Sequence, residues 1–110
     1  MRPVLAVDFD GVIVEAKQRD LSRPFAPLLL GAREAVNKLA ETFDVVICTS
    51  RASHELKMVE TFLTDEGFRV CGVTNEKVPA VAYVDDRAIR FVSWEQTLAD
   101  LGIQVSQPDP

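Results

Sequence analysis

An α/β fold with a mainly parallel central sheet is predicted by three features of the chain. Short, continuous apolar runs of strand length recur along it, and they alternate with segments whose apolar residues fall at helical spacing. Strands written as unbroken apolar runs belong to parallel sheets covered on both faces. The third feature is where polarity begins. Asp8 and Asp10 follow the first apolar run, Thr49, Ser50 and Arg51 the second, and Asp85 and Asp86 the last. Ligands gather at the carboxyl ends of such strands, so three polar clusters converge on one sheet edge.

The elements follow in order. Val4 to Asp8 is a nearly all-apolar run of strand length, and Gly11 just after it permits a turn. Ala32 to Phe43 places Ala35, Val36, Leu39, Ala40 and Phe43 at helical spacing behind Gly31, and Asp44 opens a strand from Val45 to Cys48. Ser53 is placed to cap a helix running through Leu56, Val59, Phe62 and Leu63, with Gly67 as its stop. Arg69 to Val73 is a weaker strand and Ala80 to Val84 a stronger one. Ser93 to Leu101 is a last helix, stopped by Gly102. Thr74 to Pro79 is shorter than the roughly dozen residues a parallel crossover takes. Either the weaker strand is a short, irregular edge or the crossover helix has been lost.

Composition sets the class. With 110 residues there is material for one core, not two. Residues 1–104 are therefore read as a single domain and 105–110, with Pro108 and Pro110, as a flexible tail. Hydrophobic residues at 47% and charged residues at 26% exclude a disordered chain and a disulfide scaffold. A net charge of -5 argues against strong non-specific nucleic-acid binding, which takes a basic face. Lys17, Arg19 and Arg23 form a local basic stretch that reads as a solvated loop. No apolar run approaches the ~20 residues of a membrane span, and the first residues lack the pattern of a secretory signal. No membrane partner and a cytoplasmic address are expected. Cys48 and Cys71 lie in apolar runs without CxxC spacing or a His partner, as buried small hydrophobes do. His54 reads as a solvated helix residue, and Phe91 and Trp94 as packing under the last helix.

The acidic residues do not fit so plain a reading. Asp8, Asp10, Asp85 and Asp86 emerge at one point from two buried strands, and clustered bare carboxylates repel one another and resist desolvation. A bound cation in their midst answers both costs, and an all-oxygen donor set suits magnesium.

At this point the chain resembles the haloacid dehalogenase-like (HAD) phosphohydrolases. The resemblance rests on DFDGV from Asp8 to Val12, on VVICTSR with its Thr49, on Lys77 in NEKVP, and on YVDDRAI with Asp85 and Asp86. These stand in the family's order across nearly the whole chain. It implies a Rossmann-like three-layer sandwich, a Mg2+ ion and an aspartyl-phosphate intermediate. Asp8 would be the nucleophile and a metal ligand. Asp10 would ligate through its backbone carbonyl and serve as acid and base, its side chain held off the metal. By analogy with the family, Asp86 would be the direct ligand of the second pair and Asp85 the auxiliary. Thr49 and Lys77 would bind the phosphoryl group and balance its charge, with Ser50 the alternative hydroxyl. Arg51 and Arg87 would either bind a second anionic group of the substrate or simply balance the acids. Phosphate-transferring ATPases of this family tend to carry a non-acid where Asp10 stands, so Asp10 favours a phosphatase.

Larger members carry an inserted cap domain, whereas Val12 to Leu30 has room only for a turn and a small flap. A capless, open site suits a macromolecular end as well as a small phosphomonoester. The oligomeric state stays open, a homodimer over the pocket favouring smaller substrates. Two rivals carry weight. A non-catalytic Mg-binding regulatory or interaction module would keep the acidic pocket without turnover. A phosphorylation-switch receiver domain would place its acceptor Asp at the end of a middle strand, where this chain has Thr49 and Ser50.

Overall fold

A computed structural model describes residues 2–18 and 20–104; Arg19 of the basic stretch and the tail 105–110 lie outside the described residues. Strand β1 (Val4–Asp8) leads through a long loop to helix α1 (Ala32–Leu39) and strand β2 (Asp44–Cys48). A 3-10 turn (Ser53–Glu55) enters helix α2 (Leu56–Asp65), followed by strands β3 (Gly72–Thr74) and β4 (Ala82–Val84) and helix α3 (Trp94–Asp100). The sheet is all-parallel, in the order β3-β2-β1-β4. This is an α/β fold, as the alternating pattern predicts. The chain runs outward from β1 to β3 and then returns to the far side of β1, so the strand order reverses between β1 and β4. In a parallel sheet that reversal point is where a crevice opens.

One face of the sheet carries the core. Leu5 and Val7 of β1 pair in register with Val45 and Ile47 of β2, and all four are buried against Val36 of α1 and Val59 and Leu63 of α2. The turn after β1 is anchored in the same core: Phe9, Ile13 and Val14 are buried, and the N–H groups of Val12, Ile13 and Val14 all donate to the Phe9 carbonyl. Residues 12–18 and 20–30 form the expected small flap. Val14 bridges to Leu28, the Leu29 N–H donates to Ile13, and Phe25 packs its ring on Phe9 and Phe62 with centroids 5.3 and 4.8 Å away. No cap domain stands over the sheet among the described residues.

The opposite face is covered more thinly. Ala6 is buried there, but Val46 and Cys48 are half-buried and Tyr83 is exposed. Helix α3 contributes no buried residue. Phe91 and Trp94, expected to pack beneath it, are 58% and 71% exposed and contact each other edge to face. The helical period marks which side of α3 is apolar but not what covers it. The radius of gyration is 17.1 Å, against about 13 Å for a compact chain of this size.

Boundaries shift at several ends. Helix α1 stops at Leu39, and Ala40 to Phe43 forms a tight turn closed by the Phe43 N–H on the Leu39 carbonyl. Ser53 opens the 3-10 turn and does not cap α2; the Glu55 carboxylate instead accepts from the Ala52 N–H. Ser93 does cap α3, accepting from the Gln96 N–H. Strand β3 begins at Gly72, which leaves Cys71 exposed and not buried as expected. The crossover helix between β3 and β4 is absent. Residues 75–81 span three strand spacings, roughly 14 Å, and seven extended residues reach about 23 Å. The short strands make this link feasible.

Because Leu63 is fully buried and Leu101 is exposed, truncating each to Ala separates core from surface. Leu63→Ala is expected to cost about 2–5 kcal/mol, lowering the Tm in thermal unfolding by ~10 °C or more. Leu101→Ala is expected to stay within about 0.5 kcal/mol of the parent.

Candidate functional site

Strand pairing builds the site. Parallel register places Asp8 beside Cys48 at the tips of β1 and β2, and Val7, one step before the tip of β1, beside Val84 at the tip of β4. Asp85 and Asp86 therefore leave β4 next to Asp8. One carboxylate oxygen from each of Asp8, Asp85 and Asp86 lies within 4.8 Å of the others. No Lys or Arg among the described residues forms an ion pair with any of the three. The backbone positions them: Asp8 accepts from the Phe9 N–H at 2.9 Å, and Asp85 accepts from the Arg87 N–H at 2.8 Å.

Gly11 makes room for the third. Its φ of +87° lies in the left-handed region, and a Cβ there would collide with the Asp86 carboxylate. A larger residue would both strain the turn, at about 1–3 kcal/mol, and push Asp86 out of the group.

The electrostatic cost falls on Asp8. Its carboxyl is raised above the ordinary Asp value, first by burial and then by the charges of Asp85, Asp86 and Asp10, with the Phe9 N–H partly offsetting them. Burial leads, and the like charges of the neighbouring acids add to it. The donor set fits a hard divalent cation: all oxygens, two strand tips, and no internal base filling the space. Asp8, Asp85 and Asp86 would hold such an ion. Burial and then the Asp8 charge push the neighbouring Cys48 thiol up, away from the thiolate that makes cysteines reactive.

Beside the carboxylates opens a cleft of about 550 Å3, lined by Asp8, Thr49, Ser50, Lys77, Tyr83 and Arg87 among others. Thr49 is buried at the end of β2, its N–H donating to Thr74 and its hydroxyl oxygen accepting from the Arg51 N–H at 3.2 Å. The hydroxyl proton remains available to a ligand. Ser50 is exposed at the rim. Lys77 is exposed and sits over the Tyr83 ring at 5.7 Å, while the Tyr83 hydroxyl donates to the Val78 carbonyl. The short link after β3 thus still delivers Lys77 to the cleft that Asp8 and Thr49 share.

Two residues beside the group pair with each other. Asp10 is not one of the three grouped carboxylates, because its side chain is taken by Arg51: Nη2 to Oδ1 at 2.8 Å and Nε to Oδ2 at 3.1 Å. Arg51, read as either a substrate anchor or a balance to the acids, takes the second part and is not among the residues lining the cleft. Arg87 lines it instead. Asn75 went unnoticed in the sequence; its amide donates to the Arg51 carbonyl and the Ser53 hydroxyl, tying the end of β3 to the loop after β2. A lone Asn in a loop carries no pattern that would single it out. His54 is exposed and plays no part.

No protein-family model matches the chain, and no curated protein matches it. The chain is similar to a solved conserved protein from Bacteroides thetaiotaomicron, with 20% identity over 94% of both chains and a TM-score of 0.65. That likeness bears on the α/β fold. No helix among the described residues is long and apolar enough to cross a membrane.

The raised Asp8 carboxyl carries a sign for stability. A group raised in the folded state stabilises it when protonated, below the ordinary value of 3.8, and that contribution is lost as pH rises through the raised value. Asp8→Asn is therefore expected to raise the Tm of chelator-treated protein at pH 7. The gain should shrink towards zero as the pH of the melt is taken below the carboxylate range.

Proposed function

We propose that the chain is a Mg2+-dependent phosphohydrolase of HAD type that cleaves a phosphomonoester through an aspartyl-phosphate on Asp8. One observation carries the reading: three unpaired carboxylates from adjacent strand tips share an edge with a buried Thr hydroxyl and a Lys. A magnesium ion held by Asp8, Asp85 and Asp86 would neutralise phosphoryl charge, so that an anionic nucleophile can approach phosphorus.

The residues divide the work. An Asp8 carboxylate oxygen attacks phosphorus and the bond to the leaving oxygen breaks, while Asp10 supplies that oxygen with a proton. Water then attacks the same phosphorus and gives its proton to Asp10. The bond to Asp8 breaks and inorganic phosphate leaves, restoring both side chains. Thr49 donates its hydroxyl to a phosphoryl oxygen, and Lys77 offsets the charge that develops there. Arg87, on the same cleft without a carboxylate partner among the described residues, faces whatever else the substrate carries. The wide cleft admits small phosphomonoesters and phosphorylated macromolecular ends alike.

A panel of nucleotides, sugar phosphates, nucleic-acid 3′-phosphates, phosphopeptides and an aryl phosphate tests this directly. Wild type is expected to release phosphate from at least one member only with magnesium present, and Asp8→Asn to release none above background. Thr49→Ala is expected to lose about 10²–10³ in rate. Equal release from wild type and Asp8→Asn would remove Asp8 as nucleophile. Magnesium binding without any turnover would instead point to a regulatory module.

A further inference from the structure

We infer that Arg51 is a positioning residue, a planar clamp that fixes the Asp10 carboxylate in one orientation turned away from Asp8, Asp85 and Asp86. The inference rests on the proposed role of Asp10 as acid and base.

The geometry is that of a clamp and not of a loose counter-charge. Two N–H groups on one guanidinium edge, Nη2 and Nε, meet two carboxylate oxygens at 2.8 and 3.1 Å, the fork-to-fork arrangement that fixes direction as well as distance. The guanidinium is itself held. Its Cζ lies 4.9 and 5.5 Å from the ring centroids of Phe25 and Phe9, and Nη1 reaches Glu55 at 3.9 Å. Those rings belong to the buried cluster with Phe62 of α2. The path of restraint thus runs from the core, through two aromatic faces, to a side chain at the site edge.

The clamp meets a need created by the rest of the site. Asp10 stands two residues from Asp8, near enough for its charge to act on that carboxyl. A carboxylate left free there is drawn to any cation the other three bind. A side chain that joins the cation cannot also meet the leaving oxygen or a water. Arg51 occupies one lone-pair direction on each Asp10 oxygen, and each keeps another for a proton partner. A lysine would supply the charge without the fork.

Two measurements test the clamp. The first is magnesium affinity by calorimetry without substrate: Arg51→Gln and Arg51→Lys are both expected to tighten binding by freeing Asp10 to reach the ion. In an Asp10→Asn background, Arg51→Gln is expected to change nothing. The second is leaving-group dependence. In Arg51→Lys, kcat/KM for an alkyl phosphate is expected to fall about 10²-fold, within the range of general acid catalysis. For nitrophenyl phosphate, whose leaving group needs no proton, it is expected to fall less than about 3-fold, with a burst from slowed hydrolysis of the aspartyl-phosphate. Arg51→Lys keeps the charge and the stem on the aromatic rings, and so guards against a folding defect. Unchanged magnesium affinity in both Arg51 variants, or the same tightening in the Asp10→Asn background, would overturn the clamp. So would equal losses for the two esters. If wild type turns over neither ester, the phosphatase reading fails, and the calorimetric comparison still decides whether Arg51 restrains Asp10.

Discussion

Like-charge repulsion at the tips of β1 and β4 is the constraint to which the rest of the site answers. Three carboxylates within 4.8 Å would move apart in a flexible peptide, since nothing but water screens them. Here β1 and β4 are hydrogen-bonded neighbours, and each acid is restrained locally: Asp8 and Asp85 by backbone N–H groups, Asp86 by the space that Gly11 leaves. The cost of holding them is met by the core on the other side of β1. Leu5, Val7 and Phe9 alternate with the acid-bearing face and are buried, each contributing on the order of 1.5–3 kcal/mol of apolar burial. One strand thus carries the anchor on one face and the charge on the other.

The fourth acid is treated differently from its neighbours. Asp10 has a cation, and that cation is fixed by aromatic rings from three separate parts of the chain: Phe9 after β1, Phe25 from the flap, and Phe62 from α2 behind them. Four similar residues become two kinds of group. Three are left for an external charge and one is neutralised internally. That division arises from packing, because the turn after β1 and the flap supply the rings on which Arg51 rests, with Phe62 of α2 behind them.

Much of this was legible in the order of residues. Asp8, Asp85 and Asp86 each end or follow a continuous apolar run, so a parallel sheet places them on one edge whatever the details. The same rule brings Thr49 there. Arg51 was visible as a basic group beside a motif, but not as the partner of Asp10, because the two are 41 residues apart and only the packing of Phe25 and Phe62 selects that pairing over the cleft. Gly11 read as a turn residue, and its second use, admitting Asp86, depends on a strand that lies more than 70 positions later. The last helix shows the converse limit. Its span between Ser93 and Gly102 was local and agrees with the structure, whereas the placement of Trp94 and Phe91 against a partner was not local and differed.

The exposure of β4 carries its own implication. Two of the three grouped acids follow a three-residue edge strand whose side chains face solvent, and beyond it the described residues bury almost nothing. Such margins open locally at little free-energy cost. An ion gripping Asp8 together with Asp85 and Asp86 would therefore stitch the weakest border of the sheet to its strongest strand. Loading the centre and firming that border become a single equilibrium, so the chain's readiness to bind is set by how often its last strand is in place.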